Sequence, residues 1–145
     1  MPGLIAALAL LAGSASARAD EGARVEIMVL EVDRAESRQI DPALAEETQI
    51  LQLLAPYDRI RIIERRTEAL TVGRNAELRF STPAGKKAQL DVELLARTAD
   101  RMKLRVRCAA LQDLDTTTSH QRGGTFLVVR PQSKVGVAIR RVGAD

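Results

Sequence analysis

The sequence predicts a mainly β fold of the α+β kind, an antiparallel β-sandwich or partly closed barrel of eight to nine strands with one packed helix. Three observations predict it. Apolar and polar residues alternate with a period of two over most of the chain between Val25 and Ile139. Short Gly- and Pro-containing turns punctuate those segments. Helix signals gather in one stretch, Pro42 to Ala55.

In chain order, Leu4 to Ala12 is an apolar run, followed by small residues and an abrupt change to charge at Arg18, Asp20 and Glu21. That is the shape of a signal peptide, with small-x-small cleavage rules met after Ala17 or Ala19. The run is too short for a membrane span, which needs about 20 apolar residues. The expectation is a leader over 1–19 and a single β-rich domain over 20–145, exported to the periplasm or cell envelope, with no integral membrane segment after cleavage.

Val25, Ile27 and Val29 fall on one side of the first strand, and Met28, Leu30 and Val32 on the other. Apolar residues on both faces predict a central strand covered on both sides. Asp41 and Pro42 form an N-cap and first-turn pair, and Leu44, Ile50, Leu51 and Leu54 follow before Pro56, so the helix is placed at Pro42 to Ala55. Strands follow at Asp58 to Arg65 and Ala69 to Val72, then around Leu78 and Phe80. Leu90, Val92 and Leu94 line one face of the next, and Met102, Leu104, Val106, Cys108 and Ala110 one face of its neighbour. The polar Asp115 to Gln121 precedes Gly123 and Gly124, and apolar segments at Thr125 to Val129 and Val135 to Ile139 close the chain.

Composition excludes several functions. Lys and Arg number 22 against 19 Asp and Glu, a net charge of +3, too small an excess to indicate nucleic acid. Tyr57, Phe80 and Phe126 are the only aromatic residues, which argues against base-stacking platforms and the aromatic girdles of membrane barrels. Cys108 is the single cysteine, so no internal disulfide forms, and its place among Met102, Leu104 and Val106 makes it a buried apolar residue. His120 is the single histidine and follows Ser119; neighbours on a strand point to opposite faces, so the two are no nucleophile and base pair. His120 reads as a solvated residue of a polar strand. One Cys and one His do not make a zinc site, and no calcium loop or phosphate-cradling glycine run is present, so no catalytic, metal or cofactor site is assigned.

The candidate partner-binding residues are Lys103, Arg105 and Arg107, which alternate with the apolar face of one strand and so share a side. Asp91 and Glu93 on the preceding strand compete for them: a register keeping both apolar faces inward sets Glu93 against Arg105 or Arg107.

Several segments in order resemble the C-terminal β-rich homology region of bacterial secretins, the outer-membrane rings of secretion and pilus systems. Val25 to Asp33 is similar to its opening strand, Leu70 to Leu78 to the stretch after a turn glycine, and Val92 to Val106 to the paired strands that follow. Thr116 to Thr118 through Gly123, Gly124 and Thr125 to Val129 is similar to a threonine-led strand, a turn and a short apolar strand. The family's Pro- and Gly-rich signature and membrane-inserting hairpin are missing. The resemblance therefore implies a soluble relative or partner of an envelope assembly rather than a pore. The expected function is non-enzymatic, through contact with an envelope protein at sheet edges or at the Arg-bearing strand. A carrier of a small apolar ligand such as a lipid, and a hydrolase built on converging carboxylates, are the alternatives.

Overall fold

The computed structural model describes residues 22–121 and 123–142, so the leader expected over 1–19 lies outside the described residues. Among those residues there are nine strands: β1 (Gly22–Asp33), β2 (Gln39–Ile40), β3 (Arg59–Thr71), β4 (Asn75–Ser81), β5 (Lys87–Arg97), β6 (Arg101–Cys108), β7 (Leu114–Gln121), β8 (Thr125–Arg130) and β9 (Val135–Arg141). A 3-10 turn (Pro42–Leu44) and a short helix α1 (Thr48–Leu53) connect β2 to β3. The strands form two sheets, one ordered β2-β3-β1-β9-β8 and the other β4-β5-β6-β7. Apart from β2, which runs parallel to β3, every pairing is antiparallel. The architecture is the mainly β sandwich that the period-two pattern predicts. No helix of the described residues is long and apolar enough to cross a membrane.

The two-faced pattern of β1 decides the layering. Val25, Ile27 and Val29 enter the core between the sheets, with Leu90, Val92 and Leu94 of β5 and Met102, Leu104 and Val106 of β6. Met28, Leu30 and Val32 enter a second core on the opposite face, closed by Leu44, Ile50, Leu54 and Ile60. A strand buried on both sides belongs in the middle of its sheet, and β1 lies between β3 and β9.

β3 is one strand where the sequence reads two. Its pairing with β1 shifts between Val29 and Leu30, leaving Ile63 as an extra residue. Ile60 and Ile62 pack into the helix-side core, whereas Ile63 and Leu70 pack between the sheets. The bulge reverses the parity of the strand, so no single alternation runs through it.

The continuous helix expected at Pro42 to Ala55 is not formed. The chain instead makes the 3-10 turn, breaks at Glu47 (φ −86°, ψ 64°) and restarts as the six-residue α1. At about 100° per residue an unbroken helix would set Leu44 and Ile50 about 120° apart, at the two edges of one wide apolar stripe. Re-phasing at Glu47 brings Leu44, Ile50 and Leu54 together, each essentially without exposed surface.

Asp41 acts as the cap the sequence indicates, and also as a tie. Its Oδ1 accepts from the Ala43 N–H (3.0 Å) and its Oδ2 from the Ile62 N–H of β3 (3.1 Å). Those backbone donors hold its carboxyl below the usual range. Replacing Asp41 with Ala is expected to cost about 1–2 kcal/mol of unfolding free energy by urea titration. Asp41→Asn, which can satisfy only one of the two donors as an acceptor, falls between Ala and the parent.

Candidate functional site

The stripe on β6 has the expected geometry but little spare charge. Lys103, Arg105 and Arg107 lie on the outer face of the second sheet, alternating with buried Met102, Leu104 and Val106. Glu93 stands directly opposite Arg105, and Asp91 opposite Arg107. On the other side Asp115 of β7 faces Arg107 and grips Arg105 with both oxygens, accepting from Nε at 3.0 Å and Nη2 at 2.9 Å. The Arg105 guanidinium lowers the pKa of Asp115, and Asp115, with Glu93 behind it, raises that of Arg105. Lys103, between Ala96 and Ser119, is the stripe residue with no carboxylate opposite it. A surface whose cations already face carboxylates offers little net field to an acidic partner.

His120 is not the solvated residue expected. Leu114 turns inward at the start of β7, so the even positions Thr116, Thr118 and His120 follow it to the inner side, while Ser119 is exposed. Ser119 and His120 do lie on opposite faces. The His120 ring shares a row with Met102 and, through a register shift between Leu94 and Ala96 in β5, with Arg97. Both ring nitrogens are buried and make no hydrogen bond, and burial lowers the pKa from 6.5. The folded state therefore binds this proton less readily than the unfolded chain, and stability must fall as pH drops through 6.5 toward the lower folded value. His120→Gln removes that component. Its thermal midpoint should hold steady between about pH 7 and 5 while the parent's declines; parallel profiles would contradict the assignment.

Cys108 is buried within the inter-sheet core, and burial pushes its thiol up, which makes it a poor nucleophile.

The densest polar cluster is one the sequence does not reveal. Arg140 of β9 stands opposite Glu26 of β1 and donates from Nη2 to its Oε1 at 2.7 Å. The same guanidinium holds Glu47, through Nη2 to Oε1 at 2.9 Å and through Nη1 to Oε2. Arg65 of β3 completes the group, with Nε 3.0 Å from Glu26 and Nη2 3.4 Å from Glu47. The two glutamates have only 12% and 15% of their side-chain surface exposed, so this is a half-buried clip fastening the connector to the sheet. It is a poor acid–base pair. A general acid needs a raised pKa, and the Glu47 carboxyl is held down by its hydrogen bonds from Arg140. Among the described residues no group of three or more His, Cys, Asp or Glu converges to hold a metal ion.

The carrier reading finds an interior filled with side chains: between the sheets, Val25, Val29, Leu90, Val92, Leu94, Leu104 and Val106 all have no exposed surface.

The edge strand β8 is the unusual surface. Among the described residues it closes one end of the five-stranded sheet and pairs only with β9. Phe126 and Val128 lean on the inter-sheet core, Leu127 and Val129 on the helix-side core, and every residue of the strand keeps part of its surface exposed. Natural edge strands are blunted by charge, proline or shortness, yet β8 has no charge before Arg130. The other edges are blunted: β4 carries Glu77 and Arg79, β7 is polar after Leu114, and β2 has two residues. The Thr125 hydroxyl bonds Gln49 at 3.1 Å and Arg130 Nε donates to the Leu111 carbonyl at 3.3 Å, which fixes β8 at both ends.

Comparison with protein-family models, curated proteins and solved structures returns no match.

Proposed function

We propose that this chain is an exported, non-enzymatic binding protein of the cell envelope, which takes up an extended segment of a partner protein along the outer edge of β8. The observation that carries the reading is the edge itself, with apolar side chains on both faces and an unextended backbone ladder. An incoming strand would gain main-chain hydrogen bonds from the ladder and specificity from the partly exposed Phe126, Leu127, Val128 and Val129. The Arg-bearing strand is the weaker candidate, because carboxylates already occupy the positions opposite Arg105 and Arg107. The leader pattern and the resemblance to secretins motivate the envelope address and a role as accessory to a secretion- or pilus-type assembly.

The test is photo-crosslinking in the native cell, with the photoreactive residue at Thr125 on the β8 edge and, separately, at Lys103 on the stripe. A discrete adduct from Thr125, identified as an envelope protein, is the expected outcome. Adducts from Lys103 and none from Thr125 would transfer the contact to the stripe; a cytosolic adduct would remove the envelope reading.

A further inference from the structure

At the end of the sandwich where the β4–β5 hairpin meets the β8–β9 turn, two chain reversals enclose a cleft of about 320 Å³. Lys86 enters it from the hairpin and Lys134 from the turn, with Thr82, Ser133 and Gln132 between them. Every polar side chain of that lining can donate a hydrogen bond, and none is a carboxylate. The flank of the same hairpin repeats the pattern in a second depression lined by Arg79, Ser81, Lys87 and Gln89, again without an acid. Among the described residues no ion pair engages Arg79, Lys86 or Lys87. The charge balance here is opposite to that of the middle of β6, where Arg105 and Arg107 each face an acid. Lys134 is the one cation of the four with a partner, Asp33 at 3.2 Å, outside the lining.

The backbone beside the cleft is also unusual. The three non-glycine residues with positive φ among the described residues are Gln112 (58°), Asp113 (53°) and Lys134 (57°), all in the loops at this end. Left-handed conformations cost an ordinary residue about 1 kcal/mol each and persist where the surroundings enforce them. The Gln112 side-chain amide donates to Gln132 Oε1 at 2.7 Å, joining the two loops, and the Lys134 carbonyl accepts from the Val32 N–H at 2.9 Å. Lys134 is thereby fixed on the wall of the cleft, and the Gln132 amide NH2 is not used by the inter-loop bond.

We infer that this cleft binds a phosphate-class oxyanion, with Lys86 and Lys134 as the charge pair, Ser133 and Gln132 as neutral donors, and Arg79 and Lys87 raising the local potential. The site is separate from the β8 edge and does not depend on it. Two sources could present such a group, a small phosphorylated molecule or an anionic lipid headgroup, and the experiment distinguishes them.

Backbone amide spectra of the protein are followed while inorganic phosphate is added against chloride of equal ionic strength. Saturable shifts confined to Lys86, Ser133 and Lys134 are expected, with a dissociation constant on the order of 1 mM. Lys86→Gln, on an exposed hairpin where the fold is not at risk, should weaken the response about tenfold, and the distant Arg101→Gln should leave it unchanged. In parallel the protein is sedimented with phosphatidylglycerol and with phosphatidylcholine vesicles. Phosphate shifts without sedimentation identify a small ligand. Sedimentation with the anionic vesicles alone, lost in Lys86→Gln, identifies a headgroup. Shifts spread evenly over exposed cations, a Lys86→Gln response equal to the parent's, or neither shifts nor anionic-vesicle binding would overturn the proposal.

Discussion

Replacing Ile27 with Ala, and separately Leu30 with Ala, lowers the free energy of unfolding by about 3–4 kcal/mol each. These neighbouring positions on β1 have 1% and 0% of their surface exposed, yet they belong to different cores, Ile27 between the sheets and Leu30 under α1. Each truncation removes about three methyl or methylene groups and leaves a cavity that the close-packed surroundings fill only in part. Because the two side chains share neither core, the double variant should lose the sum of the single losses within about 0.5 kcal/mol. Urea titration of the three proteins measures this. A loss below about 1.5 kcal/mol at Leu30 would mean that the connector does not pack on β1 as a second layer.

The second large effect is expected at Arg140. Arg140→Met leaves Glu26 and Glu47 half-buried with only Arg65 to hold them, and should cost about 2–3 kcal/mol. The charge matters more than the volume: Arg140→Lys keeps the charge but loses the planar fork that spans both glutamates, so it should fall between. The same clip sets part of the acid sensitivity. Hydrogen bonds from Arg140 hold the folded Glu47 carboxyl below its ordinary value of 4.5, so its stabilisation is present above that value and lost as pH falls through the lower folded one. In Arg140→Met that acid-labile part should largely vanish. Midpoints of the two proteins would then converge on acidification below about pH 4, and a constant difference across that range would contradict the role assigned to the clip.

The sequence made the layers legible and the joints much less so. The two apolar faces of β1, and the inward rows of β5 and β6, follow from alternation of period two, which depends only on local geometry. Glu93 opposite Arg105 follows as well, because two inward faces and a short turn leave few registers. Three features escaped for a common reason: distant residues set them. The break at Glu47 is held by Arg140, 93 positions away, and it overrode a cap and periodicity that read as one helix. The bulge at Ile63 turns Arg65 onto the helix side, where it meets Glu26, and a similar shift in β5 turns Arg97 inward. His120 followed the parity fixed by Leu114, which overrode the polar composition of its strand.

β8 shows the same limit from the other side. Like β1 it is apolar on both faces, yet β1 is central and β8 is an edge, because sheet order depends on which strands find partners. The candidate contact surface could therefore be placed on sheet edges in general from the sequence, while the choice of β8 required the topology.

Residue-resolved amide hydrogen exchange on the isolated protein tests that choice most directly. Strand β1, bonded on both sides from Val25 to Glu31, should be slow over that stretch, while β8 should alternate between slow amides directed at β9 and fast ones directed outward. Uniformly slow exchange along Thr125 to Arg130 would show that the outer ladder is already occupied, and would contradict an edge open to a partner.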